Sequence, residues 1–163
     1  MQNFCVGGKF EVRCFDAEGK PKWTDDFTNL VTTQGLNHLL STVFAGGTAA
    51  ATWYIGLISS AGYSALAAGD TLASHAGWTE TAAYTGDRKE WTEGAPAGGA
   101  MTNATSVDFA ITGGVTVKGA FLCSAETGTS GTLFCEALFS GGDRAVINGD
   151  TLKVTYTLTA ASA

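Results

Sequence analysis

Charged side chains are scarce in this chain. Asp, Glu, Lys and Arg make up 15% of its 163 residues, whereas an ordinary soluble domain has about 25%. Gly, Ala, Thr and Ser take their place, and this mixture favours short strands joined by many turns. Because exposed surface normally carries more charge, part of the surface is expected to be covered by a partner or by neighbouring copies.

Clusters of basic residues are missing as well. The nine Lys and Arg residues are scattered along the chain, the formal net charge is −6 and the sequence pI is about 4.7. Phosphate contacts require clustered Lys and Arg. Direct binding to nucleic acid is therefore not expected.

The sequence shows no targeting or membrane-spanning segment. Met1–Cys5 does not combine a basic stretch with a following apolar one, as a secretory signal does. No apolar run approaches the roughly 18 residues of a membrane helix. We therefore expect synthesis in the cytoplasm and no membrane partner.

Cysteine and histidine are too few and too scattered to indicate a metal site. The four cysteines form no CxxC pair, and only two histidines could complete a ligand set. Free thiols are the default in a reducing cytosol, so we expect the cysteines to be unpaired and to pack as small buried apolar residues. The alternative is a disulfide formed after release from the cell. These cysteines are Cys5, Cys14, Cys123 and Cys135.

What the sequence does contain is a series of short alternating segments with Gly-rich breaks between them. About eight such segments predict an all-β chain, an antiparallel β-sandwich with a jelly-roll-like arrangement. The predicted strands are Phe4–Cys14, Lys22–Phe27, Thr52–Ile58, Lys89–Thr92, Val107–Ile111, Val115–Cys123, Leu133–Phe139 and Leu152–Leu158.

One short helix is predicted, at about residues 33–44. Thr32 or Thr33 can cap its first turn, and Gly46–Gly47 ends it. His38 lies beside the apolar face, where a polar flanking role is favoured over a role as ligand or base. That face, with the i, i+3, i+4, i+7 spacing of an amphipathic helix, consists of Leu36, Leu39, Leu40 and Val43.

A long segment without clear periodicity, residues 59–103, separates the early strands from the later ones. Structureless connections beyond about 12–15 residues are uncommon unless they bind something or are disordered. The aromatic residues of this segment argue against disorder. We predict one sandwich domain, residues 1–163, with 59–103 as an inserted extended arm that lies on a surface.

No grouping of residues indicates catalysis, and no cofactor is expected. Ser74, His75 and Glu80 are close in sequence, but no nucleophile-elbow motif surrounds Ser74, and adjacency does not create triad geometry. Asp25 and Asp26 are consecutive and would point to opposite faces of a strand, so a solvated turn is favoured for them. The sequence therefore predicts a protein that is not an enzyme.

The aromatic residues of the arm are the best candidates for binding. Trp and Tyr are among the residue types that dominate interface energies. For Trp78 and Trp91, core packing and interface anchoring are equal alternatives. Asp87–Glu90 places alternating charges beside Trp91, as expected at the rim of an interface.

Several segments of the chain, from about Phe10 onward, match a known pattern. The most distinctive stretch is Ala68–Glu80, which includes Asp-Thr-Leu-Ala-Ser-His-Ala-Gly-Trp-Thr-Glu. The other segments are Asn29–Thr33 leading to Leu39–Leu40, Trp53–Ile58, Arg88 with Trp91, and Gly149–Leu152. Through these segments, which cover most of its length, the chain resembles a family of tailed-phage virion proteins, the capsid decoration (cement) proteins of jelly-roll type.

The resemblance implies a structural role on the outer surface of a phage capsid. A cement protein bridges capsomers and opposes the pressure of packaged DNA, so its partners would be the major capsid protein and copies of itself, as a dimer or trimer. The arm would make these contacts, and Trp78→Ala would weaken attachment without unfolding the domain. The candidate contact residues are Tyr63, Asp70, His75, Trp78, Glu80, Tyr84, Arg88 and Trp91.

Two other functions are compatible with the sequence. A tail or fibre component would be structural too, but would be present in only a few copies per particle. A carbohydrate-binding jelly roll would use exposed Trp and Tyr rings as stacking platforms, and its sugar would quench tryptophan fluorescence.

Overall fold

The protein folds as an antiparallel β-sandwich with one helix, as the alternating pattern predicts. The computed structural model describes residues 3–162. All eight predicted strands are present, and four further strands of two or three residues join them. In chain order the elements are β1 (Phe4–Phe15), β2 (Pro21–Thr28), β3 (Leu30–Val31), α1 (Thr33–Phe44), β4 (Tyr54–Ser59), β5 (Thr79–Glu80), β6 (Lys89–Glu90), β7 (Ala100–Thr102), β8 (Val107–Ala110), β9 (Val115–Cys123), β10 (Leu133–Leu138), β11 (Arg144–Val146) and β12 (Thr151–Ser162).

The strands form two sheets. The first has the order β2-β1-β12, with β7 and β8 both pairing with β12. The second has the order β3-β10-β9-β4, with β5 and β6 on β4 and β11 on β9. The jelly-roll connectivity itself stays a prediction.

The main core lies between the two sheets. Alternate residues of β1 and β12 point into it, because successive side chains of a strand face opposite sides. Phe10 of β1 packs on Tyr156 of β12 with ring centroids 4.4 Å apart, and both side chains are fully buried. The second sheet contributes Leu57, Leu122 and Ala137 to the same core.

A second, smaller core covers the outer face of the second sheet. The alternation of β9 reverses within the strand, because the register with β4 shifts beside Lys118. As a result Val117 faces the main core, whereas Phe121 and Cys123 face the second core. Residues of the 59–103 segment, Leu72 and Trp78, cover them.

The segment 59–103 is therefore not an extended arm. It supplies β5, β6 and β7 to the sheets, and its large side chains lie inside the protein. The sequence prediction missed this arrangement because β5 and β7 are only two and three residues long, too short to show a clear alternation, and because β12, the partner of β7, lies far away in sequence. What the segment leaves at the surface is described below.

Helix α1 begins and ends where the sequence predicts. The Thr32 hydroxyl accepts a hydrogen bond from the Gly35 backbone N–H at 3.0 Å, so Thr32 is the N-cap. Gly35 packs against β10 so closely that a Cβ atom there would lie 2.4 Å from the Phe134 backbone oxygen. Within residues 3–162, no helix has the length and apolar character needed to cross a membrane.

The cysteines are free thiols, and the expectation of burial is confirmed for three of them. Cys14, Cys123 and Cys135 are buried, whereas Cys5 is exposed. Cys5 differs because β1 extends beyond the core at its first residues, where only β12 pairs with it.

Candidate protein-binding surface

A buried polar cluster fixes the first half of the 59–103 segment to β10. The indole Nε1–H of Trp78 donates a hydrogen bond to Glu136 Oε2 at 2.7 Å and lies 3.3 Å from Asp70 Oδ2. The backbone N–H of Ala67 donates to Glu136 Oε1 at 2.9 Å. Glu136 and Trp78 are almost completely buried, at 0% and 2% exposure. The cluster therefore ties three points of the chain together away from water.

The environment of Glu136 makes it an unusual carboxyl group. Burial, reinforced by the nearby carboxylate of Asp70, raises the pKa of Glu136 to about 7. The hydrogen bonds from Trp78 and Ala67 lower the pKa and offset part of this effect. At neutral pH the Glu136 carboxyl group is therefore poised between its protonated and ionised forms.

The aromatic ring of Trp78 is held from both sides. His75 stacks on it with ring centroids 3.9 Å apart, and Phe121 packs against it at 4.9 Å. His75 Nδ1 lies 3.1 Å from the Trp78 backbone oxygen. Neither His75 nor Glu80 hydrogen-bonds to the Ser74 side chain within the described part of the chain, so these three residues do not form a triad.

A second cluster fixes the middle of the segment. The Arg88 guanidinium donates to both carboxylate oxygens of Glu80, at 2.8–3.1 Å. It also donates to the backbone oxygens of Ala125 and Gly128, at 2.9 Å each. The Tyr84 hydroxyl donates to Glu80 at 3.4 Å, and burial raises the pKa of Tyr84 well above its ordinary value. These bonds hold two loops of the second sheet in place.

Most of the predicted contact residues therefore point inward. Asp70, Trp78, Tyr84, Arg88 and Trp91 are at most 9% exposed. Of the two alternatives for Trp78 and Trp91, the structure has core packing: the indole N–H of Trp91 donates to the Tyr156 backbone oxygen inside the sandwich, at 3.1 Å. Tyr63, His75 and Glu80 are half-buried. Lys118 Nζ lies 4.5 Å from the centroid of the Tyr63 ring.

With its large side chains turned inward, the segment presents small uncharged residues to solvent. We call the exposed part of residues 60–77 the loop platform. The only charged residue between positions 60 and 77, Asp70, is buried and is not part of it. The exposed residues of the loop platform are Ala61, Gly62, Ser64, Ala65, Ala67, Ala68, Gly69, Ala73, Ser74 and Ala76.

Helix α1 presents an apolar surface that the sequence pattern did not place at the exterior. Of the predicted apolar face only Leu39 is half-buried, because α1 packs on the sandwich through Gly35 and the side near Leu39. The exposed residues form one stripe along the helix. They are Leu36 (38% exposed), Leu40 (51%), Val43 (60%) and Phe44 (78%).

Helix α1 and the first part of the loop platform, up to Gly69, belong to one uncharged tract of the chain. Residues 27–69 contain no Asp, Glu, Lys or Arg. The backbone N–H of Thr33 donates to the Ala68 oxygen at 2.7 Å, and the Gln34 side chain accepts from the Leu72 N–H at 3.2 Å. The two surfaces are therefore adjacent. The long gap between charges was the sequence signal that could have located them.

A further polar cluster corrects the interpretation of Asp25 as part of a solvated turn. Asp25 lies on β2 and is 5% exposed. Its carboxylate accepts hydrogen bonds from the Ser140 hydroxyl, the Gly141 N–H and the Arg144 guanidinium, and these donors lower its pKa below the ordinary value despite burial. Asp26 does face solvent, where it pairs with Lys9.

Among residues 3–162, no group of three or more His, Cys, Asp or Glu side chains is placed to hold a metal ion. The buried carboxylates described above are instead held by donors of the chain itself. Compared with known proteins, the chain matches no family model and no curated protein. The resemblance to capsid decoration proteins therefore stays an expectation that rests on the residues quoted for it.

Proposed function

We propose that the protein is a structural component of a tailed-phage virion that binds the outer surface of the capsid and stabilises it. It would be made in the cytoplasm of the bacterial host and assemble on the shell as an oligomer. The partner on the shell would be the major capsid protein.

The observation that carries the proposal is the loop platform. Exposed surface without charge is unusual on a protein that is free in solution, and this one is held in place by the Glu136 cluster beneath it. Small side chains lose little conformational entropy on binding, and a preformed surface avoids the cost of ordering a loop. Both properties suit a surface that docks many times on a regular shell.

The identity of the partner follows from the resemblance. Ala68–Glu80, the most distinctive part of the resemblance, supplies half of the exposed residues of the loop platform and the anchors below it, Asp70 and Trp78. The proposal therefore assigns attachment to the small exposed residues. The buried aromatics keep those residues in position.

Charge supports a location outside the shell. A net charge of −6 gives no attraction to packaged DNA. The same charge keeps free copies apart in solution, whereas the uncharged tract allows close approach on one side.

The carbohydrate-binding alternative is weakened because the tryptophan residues of the 59–103 segment are buried. A stacking platform needs an exposed ring, and Trp78 and Trp91 are 2% and 1% exposed. Trp23 and Trp53 are half-buried, so a sugar that quenches tryptophan fluorescence would have to act through them. The tail alternative differs from ours in location only, and copy number in the particle separates the two.

Placing a charge on the loop platform tests the proposal. We expect Ala65→Arg to weaken binding to capsids that lack the protein by at least about tenfold, about 1.4 kcal/mol, because the guanidinium would be buried without a partner. The measurement is the concentration of protein needed to saturate the capsids in a sedimentation gradient.

Ala104→Arg is the matched control. Ala104 is also exposed, lies outside the loop platform and receives the same added charge. Equal affinities for the two variants would reject the loop platform as the contact surface, and unchanged thermal unfolding of both would exclude a folding defect as the cause.

A further inference from the structure

A cavity of about 190 Å³ lies between helix α1 and the sandwich. It is found at the margin of the main core, where α1 and the linker that follows it, residues 45–53, meet both sheets. Met101 lines it from the first sheet and Leu122 from the second. Two further lining residues, Val43 and Ala49, are exposed, so the cavity opens to the surface.

The size and the lining of the cavity favour a single aromatic ring. An apolar cavity of about 150 Å³ accommodates benzene in another protein, so this one has room for a six-membered ring with a small substituent. Trp53 stands between His38 and Phe134, with ring centroids 5.4 and 5.5 Å away and both contacts edge-on. Trp91 also lines the cavity. Aromatic rings gain from edge-to-face and offset contacts beyond the area that they bury.

The ligand of such a cavity has to be neutral. No Asp, Glu, Lys or Arg side chain lines it, and burial of an unpaired charge is costly. The imidazole of His38 is already engaged, since its Nε2 accepts from the Ala50 N–H at 3.4 Å and its Nδ1 lies 3.5 Å from the Thr132 hydroxyl.

One polar atom of the lining is left without a partner. The Thr42 hydroxyl oxygen is buried and makes no hydrogen bond, and no other lining residue in the described part of the chain has such an atom. Buried polar groups are normally hydrogen-bonded, so a hydroxyl group on the ligand would complete the site. Water suits it less well, because a buried water needs about two to four polar partners and the lining offers one.

A free molecule fits the site better than a side chain of another protein. A side chain in the cavity would bring its backbone N–H and C=O groups to the mouth, and these groups need partners. The side chains of Val43 and Ala49 at the mouth have no polar atoms to offer.

We propose that this cavity is a binding site for a small neutral phenol, a molecule with one aromatic ring and one hydroxyl group. The ring packs among Trp53, Trp91 and Phe134, and its hydroxyl donates a hydrogen bond to Thr42 Oγ1. None of the lining residues belongs to the loop platform. The site therefore goes beyond the proposed function and does not depend on it.

The test is a calorimetric titration of the full chain with phenol, without capsids. We expect one site with a dissociation constant of at most about 1 mM. Benzene lacks the hydroxyl and cyclohexanol lacks the aromatic ring, so each should bind at least about threefold more weakly. N-acetyltyrosinamide carries the same ring on a peptide backbone and should bind at least about tenfold more weakly.

Three variants connect the binding to the cavity. Thr42→Val keeps the shape of the side chain and removes the hydroxyl, so the affinity for phenol should fall at least about threefold and that for benzene should stay the same. Thr48→Val is the matched control, because Thr48 is exposed in the linker and does not line the cavity. Ala50→Phe fills the cavity from within and should abolish binding of both compounds. Circular dichroism establishes that each variant is folded.

The indole N–H signals in a nuclear magnetic resonance spectrum locate the bound ring. Phenol should shift the signals of Trp53 and Trp91, which line the cavity. The signals of Trp23 and Trp78 should stay in place, because neither residue lines it.

Several results would overturn the inference. They are the absence of saturable phenol binding up to about 10 mM, equal effects of Thr42→Val and Thr48→Val, binding that survives Ala50→Phe, and a comparison compound that binds as tightly as phenol. Because capsids are absent from the test, such a failure leaves the capsid-binding proposal standing, and failure of capsid binding leaves the phenol site standing.

Discussion

Trp78→Ala is expected to lower the free energy of unfolding by about 3–5 kcal/mol, the usual cost of removing a buried tryptophan. The side chain is 2% exposed and fills the second core between His75 and Phe121. Its loss also removes the N–H that donates to Glu136. Urea unfolding followed by circular dichroism measures the change.

This result would replace the expectation from the sequence, that Trp78→Ala weakens attachment and leaves the fold intact. Trp78→Phe is the informative control, because it keeps an aromatic ring and loses the donor and only part of the buried ring volume, at an expected cost of about 1–3 kcal/mol. A Trp78→Ala protein as stable as the wild type would contradict the buried position of this residue.

Stability is expected to fall as the pH rises through about 7. Glu136 binds its proton more tightly in the folded protein than in the unfolded chain, because its pKa rises from 4.5 to about 7. Its contribution is therefore complete below about pH 4.5 and is lost as the pH passes the folded value. A shift of this size corresponds to about 3 kcal/mol for a group that is fully buried.

Glu136→Gln isolates this contribution. The amide resembles the protonated carboxyl group in shape and stays neutral, so the difference in unfolding free energy between about pH 5 and about pH 8 should largely disappear. A wild type that is equally stable at both values, or a pH dependence that survives the substitution, would contradict the assignment.

The strands and the helix were predictable because their determinants are local. The alternation of β12 and the threonine cap of α1 are visible in consecutive residues. The second core was not, since Glu136 meets Trp78 across 58 positions of the sequence. Alternation also failed to predict which face of the sheet each residue of β9 occupies. The register shift beside Lys118 turns Phe121 to the opposite face from Val117.

The proposed contact surface lies in the segment that the sequence singled out, but most of the residues named there are buried. Large aromatic residues were chosen as contact residues because such residues dominate many interfaces. In a folded domain they also bury the most apolar area, and this favours their placement in the core. The small residues of the loop platform and the exposed stripe of α1 remain at the surface. The sequence feature that indicates these surface residues is the absence of charged residues from position 27 to position 69. The overall composition shows that charge is scarce, but it does not show where along the chain it is missing.

The most direct measurement of the central claim is the number of copies that bind to a capsid. Purified protein is mixed with capsids that lack it, and the bound amount is determined after sedimentation through a gradient. Our account predicts that binding saturates at a fixed number of copies, close to the number of capsid protein subunits. It also predicts that saturated capsids resist higher temperatures than capsids without the protein. Heads that sediment without the protein would contradict the account and direct attention to the tail.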